Sequence, residues 1–240
     1  MRKMLARIVD RLAVRKIVPI NNCVHFCAYR YGRQEPNPYE QYAHLLAAGR
    51  PVDTIRRQFV EFLMHYRPEC LGQALGIALS QSYPLWFLPW RRPRPALANP
   101  GWVDRPENVV DVMAFFAPAG IPRSGLEREF DWSENAFNSI RAFGYQPKQH
   151  SYVTVRELRQ DACSAYLVLD GNHRLSAISA LGASHVEVRV RQPRVNRGSV
   201  ERWPLVRHRL MSVEDALLVF DAYFTGNTSP LQQAQPADIV

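Results

Sequence analysis

Residues Tyr166–Gly182 read YLVLDGNHRLSAISALG. A β-prone apolar run, YLVL, is cut by Asp170, Gly171, Asn172, His173 and Arg174, and apolar spacing resumes at once in LSAISALG. Asp, Gly and Asn break regular structure, so the spacing predicts a buried strand, a tight turn, and a helix running from Leu175 to Gly182. The first amides of such a helix have no intrahelical acceptors, and its dipole adds partial positive charge. Gly171 lets a ligand approach the backbone closely, Arg174 can fork onto phosphate oxygens, and His173 and Ser176 supply further donors. The stretch therefore reads as a phosphate cradle made of Gly171, Asn172, His173, Arg174, Leu175 and Ser176. Asp170 has the opposite sign. A carboxylate beside phosphate needs Mg²⁺ between them, or a proton taken from an incoming hydroxyl. The plain alternative, an Asp that caps the helix and an Arg that pairs with it, leaves Asn172 and His173 unexplained.

Outward from the turn, SYVTVREL alternates like a strand, and HVEVRVRQP does so until Pro193 breaks it. Before them, Trp132–Phe143 has helical spacing, with Ser133 as N-cap, Ala136, Phe137, Ile140 and Phe143 on one face, and Gly144 as the stop. Ser212 is placed to cap a last helix, VEDALLVFDAYF, and the polar residues after Thr225 read as a loose tail. Three helices are expected between Asn37 and Ser80, ending near Gly49, Tyr66 and Leu79. Residues 1–16 read as a basic amphipathic helix that sets Lys3, Arg7 and Arg11 apart from its apolar face. The stretch YPLWFLPWRRPRPALANP reads as a proline-stiffened strap whose Trp86, Phe87 and Trp90 plug the core. Asn108–Phe116 is a short apolar segment, and AGIPRSG reads as a loop. The fold class expected is α+β. A mainly helical region over 1–130, suited to hold an acceptor, precedes a small mixed sheet with helices over 131–226, and a flexible tail follows over 227–240.

The chain has 240 residues and a net charge of +8, carried almost wholly by arginine, since Lys3, Lys16 and Lys148 are its lysines. Such a balance suits a solvated basic surface or an anionic partner. The four cysteines give no disulfide framework and fit a reducing compartment. Cys23 and Cys27 flank His25 without a second ligand pair and read as buried thiols rather than a metal site. No apolar run approaches the length of a membrane span, and no signal peptide is apparent, so a cytoplasmic protein is expected. The first helix offers peripheral contact with an anionic membrane.

The series IRAFGYQP, SYVTV, YLVLDGNHRLSAISALG and HVEVRV resembles the core of the ParB-like and sulfiredoxin-like superfamily over Ser133–Val190. There a helix ending in G-x-x-Q-P precedes a strand, and a glycine-led, arginine-ending turn opens the next helix. Gly171, Arg174 and Ala177 fall on that phosphate-binding turn. The resemblance implies a pocket for ATP or ADP, with CTP a further candidate. Partition proteins carry G-E-R-R, where this chain has Gly171-Asn172-His173-Arg174. Sulfiredoxins carry a cysteine where Asn172 stands, which excludes sulfinic-acid repair by that residue. The D-G-x-H-R form is similar to the branch of free-serine kinases, which implies that Asp170 helps activate a hydroxyl and that an upstream glutamate assists. Glu129 and Glu134 are the candidates for that glutamate, with Asp131 beside them, and His173 suits acid–base work. The function expected is nucleotide- and Mg²⁺-dependent phosphoryl transfer to a small molecule or saccharide, with Asp170 as the metal contact. The alternative is a ParB-like nuclease or a nucleotide-switched DNA-binding protein. Neither a DNA-reading motif nor an acidic cluster at nuclease spacing is apparent, so nucleic acid is the lesser expectation.

Overall fold

The computed structural model describes residues 14–32, 37–66, 68–92 and 123–227. The expected N-terminal helix falls outside the described residues up to residue 13, with its Lys3, Arg7 and Arg11, as does Asn108–Phe116. The strands are β1 (Val14–Pro19), β2 (Cys23–Val24), β3 (Val153–Gln160), β4 (Cys163–Asp170) and β5 (His185–Asn196). The helices are α1 (Pro38–Ala47), α2 (Val52–His65), α3 (Leu71–Leu75), α4 (Arg123–Phe143), α5 (Pro147–His150), α6 (Asn172–Ala180), α7 (Pro204–Arg207) and α8 (Val213–Thr225). The α+β class expected from the sequence is what the chain adopts.

All five strands form one mixed sheet in the order β1-β5-β3-β4-β2. β1 pairs antiparallel with β5, β5 parallel with β3, β3 antiparallel with β4, and β4 parallel with β2. β1 and β2 lie at opposite edges, yet only Ile20–Asn22 separate them. Four interstrand steps of a flat sheet span about 19 Å. Four residue steps reach only about 14 Å. The sheet therefore curls until its edges approach.

One face of the sheet buries Val153, Val155, Val168, Val186 and Val188 against Leu175 and Ile178 of α6. Phe137 of α4, Ala43 of α1 and Ala177 of α6 form the next layer. Tyr39, Tyr42, Ile55, Phe59 and Phe130 then join α1, α2 and α4. The opposite face buries Leu158, Leu167 and Val195 beneath α8 and the strap. Trp90 does plug this core: its ring lies 5.5 Å from Trp203 and 6.0 Å from Phe220, and Leu205 N–H donates to Pro89 O at 3.0 Å. Trp86 and Phe87 are half-buried.

Several boundaries differ from expectation for local reasons. Residues Val14–Lys16 are extended, because alternation through Val14, Lys16 and Val18 pairs with β5. The third helix stops at Leu75, where Gly76 turns left-handed at φ 66°. α4 begins nine residues before Trp132, so Ser133 is mid-helix rather than an N-cap, and Arg123–Gly125 of the expected loop are helical. Phe143 is 71% exposed, not on the core face. β5 runs through Pro193, which lies where the β3 ladder skips from Arg156↔Arg191 to Leu158↔Val195 and needs no donor. The boundary expected at residue 130 falls inside α4, and the N-terminal region supplies both edge strands. Asn227 is not loose: it is buried and donates through Nδ2 to Cys27 O and Ala74 O, each at 3.0 Å. The cap at Ser212 is present, its Oγ accepting from Asp215 N–H at 3.0 Å.

Candidate functional site

β4 leads directly into α6, and the connection is Gly171 alone, at φ 92° and ψ 28°. A side chain there would be strained, and a Cβ would stand 3.1 Å from Arg174 Nη2 and 3.2 Å from Val153 Cα. The helix begins at Asn172, three residues earlier than its apolar spacing predicts. Leu175 N–H closes the first helical bond, to Gly171 O at 2.9 Å, so it is no ligand donor. The amides of Asn172, His173 and Arg174 precede that bond and have no intrahelical acceptor.

These three residues line a cleft of about 630 Å³. Asp170 to Arg174 line one side; Glu129, Trp132, Ala136 and Ile140 of α4 line the other. The α4 residues recur at helical intervals of three and four, which is why one helix presents them together. Tyr39, Tyr145 and His150 are also among the lining residues.

His173 is the best-held side chain in the cleft. Its Nε2 lies 2.9 Å from Glu129 Oε2. Its ring is 5.2 Å from Tyr39 and 6.0 Å from Trp132. Glu129 is buried, at 7% exposure. A carboxylate within hydrogen-bond distance of one imidazole nitrogen fixes the orientation of the ring.

Arg174 is committed differently from expectation. Its Nη1 donates to the carbonyls of His150 and Ser151, both at 2.7 Å, and its Nη2 to Asp170 Oδ2 at 3.2 Å. The guanidinium thus folds over Gly171 and ties the turn to the start of β3. It lines the cleft but is no free fork for phosphate. The Asp170 carboxylate is largely exposed and faces solvent at the cleft mouth, paired only with Arg174 among the described residues.

Three expected site residues lie elsewhere. Ser176 is buried, at 1% exposure, and does not line the cleft. Glu134 is gripped by Arg56, with Nε to Oε1 at 2.8 Å and Nη2 to Oε2 at 3.0 Å, and accepts from Tyr42 O–H at 2.7 Å. Those bonds outweigh desolvation and hold its carboxyl below the usual value. Asp131 is exposed on the outer face of α4. Asn172 contributes through its backbone, since its Oδ1 accepts from the buried Tyr31 O–H at 2.8 Å.

Tyr39, Trp132, Tyr145 and His150 were not foreseen as site residues. For Trp132 the signal was present in its spacing from Glu129 and Ala136; Tyr39, on α1, could be placed only by tertiary packing. Tyr145 accepts from Val153 N–H at 2.8 Å and donates to Glu187 O at 3.1 Å, which braces the cleft floor.

Among the described residues no group of three or more His, Cys, Asp or Glu could hold a metal ion. Cys23, His25 and Cys27 are buried, and burial pushes both thiols up to about 12. An ion at the cleft would draw on Asp170 for one oxygen and on a ligand for the others, which is how Mg²⁺ is commonly held beside phosphates. No helix among the described residues is long and apolar enough to cross a membrane. In comparisons with known proteins, the chain has no significant match to any family model, curated protein or solved structure.

Proposed function

We propose that this protein is a nucleotide-dependent phosphotransferase whose acceptor is a hydroxyl of a small molecule or saccharide. The observation that carries the reading is the convergence, on one cleft, of the first turn of a helix, an exposed carboxylate, and the buried Glu129 paired with the half-buried His173. The amides of Asn172, His173 and Arg174 hold phosphate oxygens with the dipole of α6 behind them. The Arg174 guanidinium orients the turn and offsets the Asp170 charge.

Glu129 and Asp170 place two carboxylates in the cleft against one guanidinium. A polyphosphate entering it therefore needs an added cation. Mg²⁺, carried in by the nucleotide with Asp170 as its protein contact, would neutralise that charge and polarise the phosphoryl group.

His173, oriented by Glu129, takes the proton of the acceptor hydroxyl as its oxygen bonds to the terminal phosphorus. The bond from that phosphorus to the bridging oxygen breaks, and the shortened nucleotide leaves with the electron pair. Trp132 and Tyr39 wall the acceptor side and exclude water.

The test is binding and slow hydrolysis of ATP, ADP, CTP and GTP with Mg²⁺, measured on the full chain and on Asp170→Asn and His173→Gln. The reading expects at least one nucleotide to bind to all three proteins and to turn over only in the wild type. Binding of none would end it. Turnover unchanged in both variants would remove the assigned roles.

A further inference from the structure

The sheet face turned away from α6 is only half covered. Over β3 and β4 it is roofed by Trp90, Trp203 and Phe220. Over β1 and β5 no element of the described residues covers it, and Ile17 there is 74% exposed.

On that half, and at its border with β3, the ladder sets arginines side by side. Arg15 of β1 is the register partner of Arg189 of β5. Arg191, two residues further along β5, is the register partner of Arg156 of β3. Residues two apart share a face, so four guanidiniums stand on two adjoining rows, about 5 Å apart across strands and about 7 Å along them. The guanidiniums of Arg15 and Arg189 lie 5.0 and 5.5 Å from the centre of one ring, that of Tyr152.

Arg91, which follows the buried Trp90, approaches the second row. Burial first, then repulsion from Arg91 and Arg191, holds the pKa of Arg156 below its usual value. Its Nε is buried and has no hydrogen-bond partner among the described residues. No ion pair to Arg91, Arg156 or Arg191 forms among the described residues. Glu187, opposite Ile17 in register, is a carboxylate of the described residues on the same face.

Like charges so placed repel, and the arrangement is relieved when an anion of matching extent covers it. We infer that this sheet face, through Arg15 and Arg191 with Arg156 and Arg91 beside them, binds the phosphodiester backbone of a nucleic-acid duplex without reading its bases. Guanidiniums suit phosphate oxygens through paired N–H groups. The exposed apolar residue of the patch, Ile17, is aliphatic, and Tyr152 is buried, so the described residues offer no aromatic platform for unstacked bases there. A duplex also presents the densest row of phosphates. This surface is separate from the α6 cleft and stands whether or not that cleft transfers phosphate.

The experiment is fluorescence anisotropy of the full chain with a labelled 24-base-pair duplex, the matching single strand, and phosphatidylserine vesicles, each across a salt series. The variants are R15E/R191E, its milder form R15Q/R191Q, and R50E/R57E, which changes charge equally at exposed positions beside and on α2. Arg156 is left intact because it is half-buried. Duplex binding should weaken at least tenfold in R15E/R191E, less in R15Q/R191Q, and much less in R50E/R57E. The slope of log affinity against log salt should fall by about 2 in R15E/R191E, one contact for each arginine lost. Equal weakening in R15E/R191E and R50E/R57E would overturn the assignment, as would binding confined to vesicles or to the single strand. Absence of duplex binding at low salt would overturn it too.

Discussion

Glu129 Oε2 and His173 Nε2 meet at 2.9 Å across the gap between α4 and α6, two helices whose contact residues are 44 apart in the chain. Neither end of this pair can be reached from the other by local structure. The carboxylate is buried and the imidazole is wedged between Tyr39 and Trp132, so the ring has one orientation available. Glu129→Gln keeps the shape and removes the carboxylate that orients the ring. Nucleotide turnover should fall by 10²-fold or more with nucleotide affinity changed less than threefold, as read by single-turnover assay and calorimetric titration. Loss of affinity and turnover in equal measure would mean that the pair only shapes the cleft.

Gly171→Ala forces a side chain into a left-handed backbone, where a Cβ meets the Val153 backbone at 3.2 Å. The left-handed conformation alone costs about 1–2 kcal/mol. A drop of at least that size in unfolding free energy is expected from urea titration, together with loss of nucleotide binding.

Arg174 donates three hydrogen bonds, two to the carbonyls of His150 and Ser151 just before β3 and one to Asp170 at the end of β4. Hydrogen bonds to charged groups contribute about 1.5–3 kcal/mol each before relaxation. Arg174→Ala should lower stability by about 2–3 kcal/mol, and Arg174→Lys by less, because one ammonium reaches some of those acceptors without the planar fork. If both variants melt like the wild type while ligand binding is lost, the guanidinium is a ligand contact and not a clamp.

His25 is buried, and desolvation, followed by repulsion from His173, lowers its pKa to about 3. Its Nδ1 accepts from Cys27 N–H at 3.2 Å, which suits the neutral ring. The unfolded chain takes up this proton near pH 6.5 and the folded one does not until about pH 3. The stabilisation is therefore complete above pH 6.5 and is lost as pH falls from there toward 3, by up to about 1.4 kcal/mol per pH unit. His25→Asn, whose carbonyl can replace Nδ1, should flatten the melting-temperature profile between pH 6.5 and 4. An unchanged profile would show that His25 protonates in the folded state.

Much of this was legible in the chain because the signals were local. The alternation in β3 and β5, the run in β4, and the Asp170–Arg174 break between two apolar patterns each follow from periodicity and turn chemistry. The start of α6 was misplaced because its first turn is polar: Asn172, His173 and Arg174 carry no apolar spacing. That Glu129 lines the cleft while Glu134 does not depends on tertiary contacts, since Arg56 and Tyr42 hold Glu134. β1 and β2 went unread because short edge strands announce themselves only through partners more than a hundred residues away. Arg174 was read as a ligand contact for the same reason: its carbonyl acceptors lie 23 and 24 residues upstream.

The passage from β1 through Ile20–Asn22 to β2 works as a hem sewn around the whole fabric. Unpicking it bares the backbone donors and acceptors of β5 and β4 simultaneously, so a chain lacking those few residues would tend to zip onto its neighbours instead of merely loosening.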